Sequence, residues 1–171
     1  MPVSVRNLVQ VSAIVSTVCT LLTPLTAQGQ SKPYDVSNES APYCSDLKHI
    51  TNLAMTRERF ASIVGKPREG NFRETSRPLT GWIDCAFYGT RTYTCDSPGF
   101  KSEEEAASAQ KAISRQILSC LETWDEAQGQ TSTANFIVLH PRLGPASITL
   151  NLDQTNDGQH AVRLILFLRL Q

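Results

Sequence analysis

The spacing of apolar side chains changes several times along the chain, and each change predicts an element. From Ser45 onward, Leu47, Ile50, Leu53, Phe60 and Val64 recur at helical intervals, with Lys48, Asn52, Arg57 and Glu58 between them. That predicts a helix with Ser45 as its N-cap and an end at Gly65 and Pro67. Thr56 is its weak point, where the pattern splits into two shorter helices. Residues 82–96 then switch to aromatic and β-branched alternation on either side of Gly89-Thr90-Arg91, the signature of a β-hairpin. Ser102-Glu103-Glu104-Glu105 is a capping box, and Ala106, Ala109, Ile113, Ile117, Cys120 or Leu121, and Trp124 continue it as one apolar stripe. The predicted second helix ends near Trp124.

Beyond it the period returns to two. Asn135–His140 is a short apolar strand, and Pro141, Gly144 and Pro145 mark the turn after it. Ser147–Asp153 places Ile148, Leu150 and Leu152 on one face, and Asn156-Asp157-Gly158 is a hairpin turn. In His160–Leu170, Val162, Leu164, Leu166 and Leu168 face one way and Arg163, Ile165, Phe167 and Arg169 the other. The predicted fold class is therefore α+β, two helices packed on an antiparallel sheet of about five strands in the order α-β-β-α-β-β-β. The order suggests a doubled α-β-β unit by topology, without matching residues.

Residues 65–81 show no period and contain Gly65, Pro67, Gly70, Pro78 and Gly81, so they are read as a loop. Structureless loops of this length are uncommon inside compact domains. This one carries Lys66, Arg68, Arg73 and Arg77 against Glu69 and Glu74, a composition able to take an anion, though a solvated connector is the more ordinary reading of it.

The N-terminus changes the setting of the whole chain. In residues 1–27, Arg6 is the only charged side chain, a mostly apolar run diluted by Ser12, Ser16, Thr17 and Thr20 spans Leu8 to Leu22, and Ala27 suits cleavage before Gln28. This stretch is expected to be a secretory signal peptide, too short and weakly flanked for a retained anchor. Residues 28–43 follow as a flexible leader and 44–171 as a single domain. The 16 basic and 16 acidic residues become 15 and 16 without Arg6, a mature charge of −1. Such a balance gives no electrostatic footprint for nucleic acid or for an anionic membrane. The expected location is secreted or periplasmic, with no membrane span once the signal is removed.

Cys19 leaves with the signal, so Cys44, Cys85, Cys95 and Cys120 remain, which predicts two disulfides. No C-x-x-C or H-x-x-x-H spacing supports a metal site, and no cofactor motif occurs. A three-residue hairpin tip sets Cys85 opposite Cys95. Antiparallel helices bring the start of the first, Cys44, near the end of the second, Cys120. The rival pairing, Cys44 with Cys85 and Cys95 with Cys120, would pin each helix to the hairpin instead.

No nucleophile elbow or metalloprotease motif accompanies His49, His140 or His160. A binding module is the expected function: an envelope accessory, an inhibitor or an immunity-type protein, with another protein or envelope component as partner. Alternation puts Trp82, Asp84 and Tyr88 on one hairpin face. With Arg163, Phe167 and Arg169, and with Arg68, Arg73 and Arg77 of the loop, Trp82 and Tyr88 are the candidate binding residues, since aromatics and arginines form interface hot spots. The competing readings are a small secreted hydrolase using His140 with Asp84 or Asp96, and a structural protein with no specific ligand.

Overall fold

The computed structural model describes residues 40–56, 58–127, 136–155 and 157–168. The chain folds as α1 (Ser40–Met55), β1 (Val64–Pro67), β2 (Phe72–Thr75), β3 (Ile83–Tyr88), β4 (Thr92–Asp96), α2 (Glu103–Cys120), β5 (Trp124–Glu126), β6 (Phe136–Pro141), β7 (Ala146–Gln154) and β8 (His160–Leu168). Two helices pack on one antiparallel sheet, as its class predicts, but the sheet has 8 strands rather than about five, in the order β1-β2-β3-β4-β8-β7-β6-β5. A helix followed by four strands thus occurs twice, and the two halves meet where β4 pairs with β8. The doubling extends further than the α-β-β unit that the apolar spacing suggests.

The strands that the spacing does not predict are β1, β2 and β5. β1 and β2 form a hairpin inside the expected loop, and β5 holds Trp124, the expected end of the second helix. All three are short, and β1 and β5 are the sheet edges, where Gly65, Lys66 and Pro67 are tolerated because one side needs no ladder partner.

α1 differs at both ends from its expected span. It begins at Ser40, within the expected leader, with Pro42 accommodated in its first turn, and ends at Met55. Tyr43, Leu47, Ile50 and Ala54 make its buried stripe. Thr56 donates through both its amide and its Oγ1 to the Leu53 carbonyl, and Arg59 turns the chain with φ 55°. Phe60 and Val64 therefore leave the helical register: Phe60 is fully buried among the aromatics and Val64 opens β1. In α2, Ser102 Oγ accepts from the Glu105 amide at 3.2 Å, while Glu105 Oε2 accepts from the Lys101 amide, one residue earlier than a capping box usually reaches.

The core lies between the helices and one face of the sheet, where Ile113 and Ile117 of α2 meet Ile148, Leu150, Leu164 and Leu166. Over β3 and β4, where the helices do not reach, Phe60 packs on Phe87 (ring centroids 5.1 Å apart) and Phe87 on Tyr93 (5.2 Å). Cys44 is bonded to Cys120 (Cα–Cα 5.1 Å), joining the start of α1 to the end of α2, and Cys85 to Cys95 (4.1 Å) across the hairpin.

Candidate functional site

Both helices lie on the same side, and among the described residues the other face of the sheet carries no helix. What strand alternation places there is set by one irregularity. From the tip inward, Tyr88 pairs with Thr92, Phe87 with Tyr93 and Ala86 with Thr94, so the three-residue tip holds and Cys85 meets Cys95. The register then shifts before Ile83, which pairs with Asp96. Asp84 is the extra residue, at φ 47°, a left-handed conformation that aspartate tolerates better than most side chains. Asp84 keeps the face of Ala86 and Tyr88, and the bulge reverses the alternation behind it. Trp82, expected beside Asp84 and Tyr88, is instead buried in the core with Leu79 and Phe87.

The uncovered face holds a groove of about 690 Å³. Phe72 and Tyr88, 43% and 53% exposed, form its aromatic wall and meet edge-on with ring centroids 5.5 Å apart. Side by side they make a contiguous apolar patch, the kind of surface that binding grooves use when polar residues rim it. Ala86, Thr92, Thr94 and Ile165 form the floor, and the β1–β2 turn at Arg68–Gly70 forms a lip. A neighbouring groove of about 600 Å³ shares Thr92 and Ile165 and adds Met55, Arg59, Arg91, Pro145, Phe167 and Leu168. The two meet at these shared residues to form a trough, whose second part also takes lining from Ala54, Met55 and Thr56 at the end of α1.

At the far end of the first groove Arg163 is held in a fork. Its Nε and Nη2 donate to Asp96 at 2.7 and 3.0 Å, and its Nη1 contacts Asp153 at 2.5 Å. The hydrogen bond to Asp96, with the two carboxylate charges, raises the guanidinium pKa above its ordinary value. Arg163 is thus a cation fixed between two carboxylates, and Asp84, which lines the same groove, has no side-chain partner among the described residues.

The other candidate residues separate. Arg68 lines the groove, but Arg73 pairs opposite Phe87 on the core side of β2, with its Nε shielded and unpartnered. Arg77 is spent on structure: its Nε lies 3.3 Å from Asp46 of α1, and its carbonyl accepts from Tyr93 Oη. The basic loop is therefore three arginines with three destinations, because a β-hairpin sends alternate residues to opposite faces. Arg169 lies outside the described residues. Phe72, Thr92, Thr94 and Asp153 join the site without being expected there. For Phe72 the reason is that β2 has no readable period; for Thr92 and Thr94 the alternation of β4 is a usable signal.

His140 does not meet Asp84 or Asp96. It sits on β6, three strands away from β4, about 14 Å across the sheet at the usual strand spacing. Its Nδ1 lies 3.3 Å from the Pro141 carbonyl, and its cross-strand neighbour is Asp125 of β5. Asp125 is itself paired with Arg142, whose Nε donates to it at 3.0 Å. That hydrogen bond holds the Asp125 carboxyl below its ordinary value of 3.8. A depressed carboxyl stabilises the fold above the unfolded pKa and loses that contribution as pH falls through the folded one. A carboxyl-carbon NMR titration should find Asp125 titrating low in the native protein and near its ordinary value in Arg142→Ala; an unmoved midpoint would contradict the pairing. Among the described residues no group of three or more His, Cys, Asp or Glu side chains is placed to hold a metal ion, and no helix is long and apolar enough to cross a membrane.

Comparison with protein-family models, with curated proteins and with solved structures gives no match for this chain.

Proposed function

We propose that this protein is an exported binding module that holds a segment of another protein against the uncovered face of its sheet. The observation that carries the reading is the exposed Phe72–Tyr88 pair beside Ile165, at the wall and floor of an open groove. Burying two half-exposed aromatics supplies several kcal/mol of apolar driving force at about 25 cal/mol per Å². The fixed Asp96–Arg163–Asp153 cluster adds polar groups already locked in place, so little ordering cost accompanies contact with them. Two disulfides and the apolar N-terminal stretch support an oxidising compartment, outside the cytoplasm. Residues 1–27 serve as the export signal in this reading, and an envelope accessory, an inhibitor and an immunity protein would all use such a face.

Phe72→Ala with Tyr88→Ala tests it, because both side chains are exposed and their loss leaves the core intact. Immobilised wild-type protein should retain a partner from an envelope extract of the producing cell, and the double variant should lose it. An unchanged set of retained proteins would remove the groove from the function.

A further inference from the structure

The two ends of the trough differ in charge. At one end Asp84, Asp96 and Arg163 line the groove, and Arg163 contacts both Asp96 and Asp153, so three carboxylates stand at this end against one guanidinium. At the other end Arg59 and Arg91 line the groove, and their side chains have no ion pair or hydrogen bond among the described residues. Arg68 and Glu69, on the lip between, offset each other. Along β4 the span from Thr92 to Asp96 is about 13 Å at the rise of an extended strand. Apolar floor and wall fill that distance: Ile165, Ala86, Phe72 and Tyr88, continuing to Phe167.

We infer that the trough takes an extended peptide segment with a charge order complementary to its own. The occupant is basic at the Asp84–Asp96 end, apolar over about four residues, and acidic at the Arg59–Arg91 end. This rests on the sheet-face reading above and sharpens it to a class of sequence. A polyphosphate chain would meet the three carboxylates at one end, and an uncharged apolar ligand would leave both ends unsatisfied. Charge at the two ends contributes direction and selectivity, while the aromatic wall supplies most of the affinity.

Selection of random 12-residue peptides displayed on phage, against the immobilised whole chain, tests this directly. The enriched sequences should carry Lys or Arg on one side of an apolar core and Asp or Glu on the other. Fluorescence anisotropy with a selected peptide should find binding about tenfold weaker to Arg59→Glu with Arg91→Glu. Repeating the selection on that variant should replace the acidic end by a basic one. Arg91→Glu alone, at the exposed hairpin tip, keeps the test available if the left-handed turn at Arg59 does not accept the change. Peptides that lose binding with Tyr88→Ala yet have no charge order, or are indifferent to the arginine reversal, would overturn this inference and leave the sheet-face reading standing. Failure to enrich any peptide, or binding that Tyr88→Ala does not weaken, would overturn both.

Discussion

Phe87→Ala should lower the unfolding free energy by about 3–5 kcal/mol, the range for removing a phenylalanine from a packed core. Phe87 has no exposed surface, and its ring stands between Phe60 and Tyr93 at 5.1 and 5.2 Å. Neither neighbour can collapse into the space easily. Phe60 is fixed by the tight turn that follows Arg59, and Tyr93 by its hydroxyl bond to the Arg77 carbonyl at 3.0 Å. Burial also pushes the Tyr93 phenol above its ordinary pKa of 10.0, so this part of the core favours the neutral ring and loses stability as pH rises above about 10. With a total stability of about 5–15 kcal/mol typical of single domains, the loss would take a large share. Urea unfolding measures it as a shift in midpoint at unchanged slope. A loss below about 1 kcal/mol would mean that the three rings do not form the rigid support of β3 and β4.

Opening the bond between the helices should cost about as much. Cys44 and Cys120 are separated by 76 positions, and closing a loop of that size constrains the unfolded chain by about 4 kcal/mol in the entropic account. Cys85 and Cys95 are separated by 10, for which the same account gives about 3 kcal/mol. Cys44→Ser with Cys120→Ser should therefore destabilise more than Cys85→Ser with Cys95→Ser. The helix pair has a second reason to suffer, because the bond joins the two halves of the doubled fold at their outer layer. The shorter bond instead fixes the hairpin register beside the Asp84 bulge. The reverse order in urea midpoints would place the weight of the covalent framework on the hairpin.

Elements with a sustained period are readable from the sequence, and elements of three or four residues are not. β7 and β8 alternate over nine residues each, long enough for the face assignment of Ile148, Leu150, Leu164 and Leu166 to be unambiguous. β2, Phe-Arg-Glu-Thr, offers one apolar residue and no repeat, and Gly70 and Pro78 around it look like punctuation in a loop. Helix ends mislead in a similar way. Phe60 and Trp124 continue the apolar spacing of α1 and α2 by coincidence, since each is buried by a turn or strand that follows. The site is legible to the same degree. Tyr88, Arg163 and Phe167 come from well-patterned strands and do line the trough. A one-residue bulge moves Trp82 to the other face, and Phe72 is hidden with β2. The Arg163–Asp153 contact joins neighbouring strands across a turn and has no signature in spacing. Asp84 and Asp96, a histidine's partners in the competing hydrolase reading, line a groove with an arginine instead.

The central claim is that the uncovered sheet face, and not the helical layer, is where this protein meets its partner. Photo-crosslinking in the producing cell measures that whatever the ligand is, using benzoylphenylalanine in place of Phe72 or Tyr88 and, separately, in place of Lys111 on the exposed side of α2. The account predicts a discrete cross-linked product from Phe72 and Tyr88 and none from Lys111. Products from Lys111 alone, or the same products from all three positions, would contradict it.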